Sequence, residues 1–154
     1  MYLLAHAILE SGWGNSELAS GYYYDGSTPI GGVYYPAGTY YNFYGIGAYD
    51  SSPLSGGRSM AIREGWSSPE LAIKGAASWI AKNYIYAASY PQATIYDMRW
   101  NPSYSEINKT RSTHQYATSI TWAASIGKLM QQGYTYNYIV PKLHYIIPLY
   151  GYKS

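Results

Sequence analysis

Among the side chains able to do chemistry, Glu10 stands out, in AHAILESGWGNSELA (residues 5–19). It lies in the last turn of a helix expected over residues 2–11, directly before a Gly12-Trp13-Gly14 break. A carboxylate there meets the negative end of the helix dipole, which raises its pKa. Trp13 beside it is expected to add desolvation in the same direction. A carboxylic acid that stays protonated near neutral pH is what a glycosidase uses to protonate a leaving oxygen. Such chemistry calls for a second carboxylate, to activate water or to stabilise the developing cation. Asp50, closing the glycine-rich, aromatic NFYGIGAYD, is the leading candidate, because such a loop can approach a ligand closely and aim a side chain into a cleft. Asp25, in YYYDG, is the runner-up, and for both the plain alternative is a turn aspartate. Glu17, Glu64 and Glu70 near helix ends, and Asp97 and Glu106 in polar loop, are weaker candidates.

The elements that must position these groups can be read from periodicity and punctuation. In the first helix, Leu4 and Ile8 with Ala5 and Leu9 form the stripe expected to be buried, while Leu3, Ala7 and Glu10 share a second face. Gly12 and Gly14 end the helix, and Asn15 or Ser16 can cap a short turn through Leu18 and Ala19. Residues 20–56 are rich in Gly, Tyr, Pro and Ser; Val33-Tyr34-Tyr35, the turn Pro36-Ala37-Gly38 and residues 39–44 read as a hairpin. A short helix is expected over Ser59 to Glu64 with Gly65 as its cap. A stronger one follows Ser67 or Ser68 and Pro69, with Ile73, Ala76, Ala77, Ile80 and Tyr84 on one face. Another runs from about Ser119 to Gln132, stopped by Gly133. Residues 85–112 read as polar loop around Met98-Arg99-Trp100-Asn101-Pro102. Asn108-Lys109-Thr110 matches the short glycosylation acceptor pattern, which matters only on a eukaryotic secretory route.

Composition removes several function classes. The chain has 154 residues, enough for one domain with a packed core. There is no cysteine, so neither a disulfide framework nor a thiolate metal site is available. His6, His114 and His144 are too scattered for a metal-ligand pattern. Only 12% of residues are charged and the net charge is +2, which argues against a phosphate-tracking nucleic-acid surface. No run approaches the roughly 20 apolar residues of a membrane span. The unusual feature is 22 tyrosines against one phenylalanine, a supply of flat rings carrying hydroxyls that suits sugar faces as well as cores.

Five segments together resemble one family. AHAILESGWGNSELA, NFYGIGAYDSSP, REGWSSPELAIKGAASWIAKNYI, MRWNP and HQYATSITWAASIGKLM are similar, in this order, to the peptidoglycan N-acetylglucosaminidases of glycoside hydrolase family 73, as in autolysin glucosaminidase domains. The likeness covers residues 2–132. It implies an α+β, mostly helical, lysozyme-like fold in which a small β-lobe and a helical lobe flank a cleft. It implies one glucosaminidase catalytic domain over 1–154, shortened at its N-terminus, because family members carry a further segment before the acid-bearing helix. The implied catalytic residues are Glu10 as acid, Asp50 as the carboxylate after the lobe and Tyr116 before the last main helix. Asn42, Tyr44 and Tyr49 would line the cleft, with Trp13 supporting the acid. No cofactor or metal is implied. The substrate would be the β-1,4-linked glycan strand of peptidoglycan, cut at N-acetylglucosamine by a secreted enzyme at the cell wall, with wall-binding modules elsewhere in a longer parent chain. A muramidase of similar fold, or a non-catalytic glycan-binding module, is the alternative. Position 119 is Ser where the family has Asp, and Ser is expected to cap the last helix in its place.

Overall fold

The computed structural model describes residues 1–49, 51–102, 114–137 and 142. It is mostly α, with a two-stranded antiparallel sheet, in the order α1 (Tyr2–Ser11), β1 (Tyr22–Tyr24), β2 (Gly38–Tyr40), α2 (Pro53–Arg63), α3 (Pro69–Ile80), a π-turn (Ala81–Ile85), α4 (Ile95–Trp100) and α5 (Trp122–Tyr136).

The end of α1 is over-determined. Gly12 is left-handed (φ 55°), Trp13 donates its N–H to Ile8 O at 3.0 Å, and Trp13 and Gly14 also have positive φ. The Ser11 hydroxyl donates to Ala7 O and accepts from Gly14 N–H, stitching the turn to the helix it terminates. Three consecutive left-handed residues exclude a further helical turn, so α1 presents its last side chains where the chain changes direction. Its buried face differs from the expected stripe: Ala5, His6 and Ser11 are buried, whereas Leu4 is 55% exposed. The face that packs on α5 is the one carrying His6, and it points toward rings rather than toward an aliphatic layer.

The sheet also differs from the expected hairpin. Tyr22, Tyr23 and Tyr24 pair with Tyr40, Thr39 and Gly38, and Val33 makes only an isolated bridge to Ile30. Tyr24 and Tyr40 are buried, and their hydroxyls donate to Thr28 O and Pro36 O, so these tyrosines bury the ring and satisfy the phenol locally.

Helix α2 starts at Pro53, six residues before its expected start, because Pro occupies the first turn where its missing N–H is harmless. Its cap is Glu64 rather than Gly65. Helix α3 begins as expected, with Ser68 accepting from Leu71 N–H and Pro69 following, but Ile73 is exposed and the buried residues are Ala72, Ala76 and Ile80. It passes into a π-turn in which Tyr86 N–H bonds to Ala81 O, a register shift that delivers Tyr84 to the core. Helix α4 lies in the stretch expected to be loop. It is built on a capping box between Thr94 and Asp97, so Asp97 is a structural carboxylate. Helix α5 begins three residues later than expected, with Thr121 rather than Ser119 as N-cap, and runs through Gly133 to Tyr136. A hydrophobic cluster including Ala5, Tyr44, Trp66, Ile80, Met98, Trp122 and Ile126 joins all these helices and the sheet. Asn108-Lys109-Thr110, Glu106 and Asp50 lie outside the described residues.

Candidate active site

A cleft of about 890 Å³ is lined by the end of α1 (Leu9, Glu10), the following turn (Ser16, Glu17, Leu18), the loop after β2 (Asn42, Tyr44 to Tyr49), Trp79 and Tyr84, and the segment from His114 into α5. The loop is anchored by Asn42. That amide is buried, donates to Ile46 O (2.9 Å) and Gly57 O (3.1 Å), and accepts from Tyr44 N–H (3.2 Å). Asn42, expected to meet substrate, therefore uses its hydrogen bonds to shape the loop. Gly45 and Gly47 adopt positive φ, and a side chain on Gly45 would come within 3.6 Å of Glu10 Oε2. That is ordinary van der Waals contact, so the loop lies directly over Glu10, and it is the positive φ at position 45 that calls for glycine.

Glu10 is held from the far end of the chain. Trp122, the first residue of α5, donates its indole N–H to Glu10 Oε1 at 2.7 Å. His6, one turn earlier on α1, places Nε2 at 3.7 Å from the same oxygen. The Glu10 side chain is 24% exposed. Burial holds its pKa above the usual carboxylate value, against the opposing pull of the Trp122 hydrogen bond. With Oε1 occupied by the indole, the proton of the acid form belongs on Oε2, the oxygen facing Gly45. The desolvation expected from Trp13 has another source: Trp13 is 71% exposed, and the ring on the carboxylate is Trp122.

Tyr116 packs edge-on to His6 (centroids 4.2 Å apart) and lies stacked with Trp122 (5.5 Å, 23°). Its hydroxyl donates to Tyr44 O at 2.8 Å, and Tyr44 in turn donates to Leu3 O at 3.2 Å, tying the loop, the pre-α5 segment and α1 together around Glu10. Burial holds the Tyr116 phenol well above its ordinary value. Tyr49 is 72% exposed at the cleft, and Tyr44 is buried in its wall. Asp25, by contrast, is exposed in a turn where it accepts from Ser27 N–H (2.8 Å) and Ser27 Oγ (2.7 Å), bonds that hold its carboxyl below the usual range. It does not line the cleft. Glu17 does, but it is ion-paired with Arg58, whose guanidinium lies 4.3 Å over the Tyr22 ring.

Ser119 does not cap α5 through its side chain. Its carbonyl accepts from Arg99 Nε at 2.6 Å, and Thr118 O accepts from Arg99 Nη2 at 2.6 Å, so a buried arginine on α4 fixes the strand of chain carrying Tyr116. Sequence reasoning missed Trp122 and His6. His6 carries a readable signal, its i, i+4 spacing from Glu10 on one helix face; Trp122 carries none, being 112 residues away.

Residues 1–135 match the model of the Glucosaminidase family, described as mannosyl-glycoprotein endo-beta-N-acetylglucosaminidase. The chain belongs to this family. It is 40% identical over 148 residues to the beta-N-acetylglucosaminidase of Bacillus subtilis (strain 168), covering 92% of this chain and 15% of that protein. It is 38% identical over 151 residues to a bifunctional autolysin of Staphylococcus epidermidis (strain ATCC 12228 / FDA PCI 1200), covering 97% of this chain and 10% of that one. The chain thus spans a small part of these relatives. Its fold is that of autolysin glucosaminidase structures. A catalytic mutant of Staphylococcus aureus autolysin E, a glutamate replaced by alanine, in complex with the disaccharide NAG-NAM, superposes with a TM-score of 0.63 at 40% identity, over 88% of this chain and 52% of that one. Among the described residues, no helix is long and apolar enough to cross a membrane.

Proposed function

We propose that this glucosaminidase-family chain hydrolyses the β-1,4 bond between N-acetylglucosamine and N-acetylmuramic acid in peptidoglycan, with Glu10 as the general acid. The observation that carries this reading is the carboxyl of Glu10, desolvated at a cleft, with Oε1 tied to Trp122 and Oε2 left for the proton. Family membership and the glutamate mutant of a relative bound to NAG-NAM support it.

In this mechanism Oε2 passes its proton to the glycosidic oxygen as the bond breaks, and Oε1 keeps its indole hydrogen bond while the carboxylate charge develops. Asp50, which follows the cleft-lining Tyr49, is proposed to activate water or stabilise the oxocarbenium-like carbon. Attack by the substrate's own acetamido group is the alternative route. Tyr116 and the buried Tyr44 order the wall beside the acid, Tyr49 is the proposed glycan contact in the cleft, and Trp13, exposed outside its lining, is proposed as a contact for a longer glycan. We read residues 1–154 as one catalytic unit acting at the cell wall outside the membrane, a reading supported by the autolysin names of its relatives and by the single core shared by the described elements.

Digestion of purified cell walls tests the acid. Glu10→Gln keeps the shape and removes the proton, and is expected to lower activity about 10²- to 10⁴-fold. Near-parent activity of that variant rejects Glu10. Mass spectrometry of borohydride-reduced products tests the bond: N-acetylglucosamine at the reduced end supports this reading, whereas N-acetylmuramic acid there assigns a muramidase.

A further inference from the structure

His6 is fully buried, lies one turn before Glu10 and has no role in the mechanism above. Its ring is enclosed by four others, with centroids at 5.3 Å to Tyr2, 5.3 Å to Tyr44, 4.2 Å to Tyr116 and 5.2 Å to Trp122. Such a cage fixes the ring plane. Nδ1 is 2.8 Å from the Tyr2 hydroxyl, which is also 2.9 Å from Met98 Sδ. Two arrangements satisfy these contacts: Nδ1–H donating to the phenol while the phenol donates to Met98 Sδ, or the phenol donating to Nδ1. The first would leave a bare Nε2 lone pair facing the lone pairs of Glu10 Oε1, so we assign the second, with the ring proton on Nε2. That N–H is buried without a hydrogen-bond partner among the described residues, and Glu10 Oε1 lies 3.7 Å from it.

A buried, unpaired N–H is costly and in a native structure calls for an explanation. We propose that His6 is a positioning residue whose Nε2–H is a donor held in reserve for the carboxylate form of Glu10. While Glu10 is a neutral acid, Oε1 is served by Trp122 and His6 remains at 3.7 Å. Once Oε2 has given up its proton, the negative charge is shared by both oxygens. A closure of about 0.8 Å then brings Nε2–H to the usual N–H···O distance. The interaction is thus stronger after proton transfer than before it, which is the condition for accelerating that step.

The surroundings keep this donor neutral. Burial lowers the His6 pKa to about 3, so it brings no cation that would strip the acid of its proton before substrate is bound. The ionisable groups facing the pair are the phenols of Tyr2 on α1, Tyr44 in the loop, Tyr84 on the π-turn and Tyr116 before α5, all held above their ordinary value by burial. Arg99 on α4 is bound to the carbonyls of Thr118 and Ser119, and His114, stacked on Tyr84, is bonded to Gln92.

The proposal rests on Glu10 being the acid, and its tests fail separately from that reading. In the parent protein, imidazole ¹⁵N shifts are expected to show His6 as the neutral Nε2–H tautomer; the Nδ1–H tautomer overturns the proposal without any substitution. In kcat/KM profiles on soluble glycan oligomers, His6→Phe keeps an aromatic ring and removes both nitrogens. It is expected to lower kcat about tenfold, the size of one hydrogen bond to a charged group, with little change in KM. Losing a donor to the carboxylate raises the pKa of Glu10, so the alkaline limb moves to higher pH. His6→Gln, with an amide N–H that reaches an i, i+4 partner, is expected to restore most of kcat and return the limb. A parent-like profile for His6→Phe, or equal losses in both variants with an unmoved limb, overturns the proposal. Undiminished activity of Glu10→Gln would instead remove the acid assignment.

Discussion

The hydrogen bond between Trp122 and Glu10 can be tested by a substitution that removes little else. Trp122→Phe retains a ring against Tyr116 and His6 but deletes the indole N–H that lies 2.7 Å from Oε1. A hydrogen bond to a charged acceptor is worth about 1.5–3 kcal/mol and one to a neutral acceptor about 0.5–1.5, so the bond favours the carboxylate over the acid by on the order of 1–2 kcal/mol. At about 1.4 kcal/mol per pKa unit, that is roughly one unit. Burial already holds Glu10 above the ordinary carboxylate value and the indole opposes it, so the sign is fixed: removing the indole raises the pKa further. The alkaline limb of kcat/KM is expected to move up by about one pH unit. The plateau rate should fall about tenfold or more, because the carboxylate left after proton transfer has lost its partner and Oε2 is no longer assigned the proton. The measurement is initial rate on soluble glycan oligomers across pH 4–9, with thermal unfolding of both proteins recorded in parallel. A loss of packing lowers Tm without displacing a pH limb. A limb that stays in place, or moves to lower pH, refutes the proposed state of Glu10.

Two further outcomes concern stability. A glycine inside a helix normally gains about 1 kcal/mol on replacement by alanine, but a Cβ on Gly75 would overlap Trp66 Nε1 and approach Cδ1 to 2.8 Å. Gly75→Ala is therefore expected to cost about 1–3 kcal/mol and lower Tm by several degrees; a raised Tm in calorimetry contradicts the packing of α3 on Trp66. His6, neutral in the fold with its pKa lowered to about 3 from 6.5, binds its proton only on unfolding across that window. Its contribution is complete above about pH 6.5 and is lost as pH falls toward 3, at a slope approaching 1.4 kcal/mol per pH unit. Urea unfolding at pH 7, 5 and 4 should show a shallower acid loss for His6→Gln than for the parent, and equal slopes would mean that His6 is not buried neutral.

The legible parts of the fold were those fixed by local backbone chemistry. Gly12 and Gly14 after α1, and Ser68-Pro69 before α3, act within a few residues and can be read directly. The strand pairing was not legible because tyrosine occurs on both sides of several turns: Tyr22 to Tyr24 and Val33 to Tyr35 offer similar strand propensity, and the choice is made when Tyr24 and Tyr40 enter the core. Helix α4 is six residues long, too short to show a periodicity, and is held by its capping box and its packing on α5. Gly133 looked like a stop but is a packing glycine, close against the Met1 side chain.

At the candidate site, the sequence pointed to the acid but not to the device around it. Glu10 could be singled out because its position relative to the helix end is local information. Its hydrogen-bond donor is the first residue of α5, and the glycine that faces Oε2 is in the loop after β2. Neither follows from spacing. The helix dipole invoked from sequence acts in the same direction as burial, and burial raises the Glu10 pKa in the folded chain. The character of the ring cluster around Glu10 explains how a carboxyl can be retained as an acid at an open cleft. An arginine or lysine against Glu10 would oppose desolvation and favour the spent carboxylate. An indole, a neutral imidazole and raised-pKa phenols instead supply dipoles without a net charge. They tolerate the protonated form and stabilise the charged one, and this balance distinguishes the proposed proton donor from a salt-bridged glutamate such as Glu17.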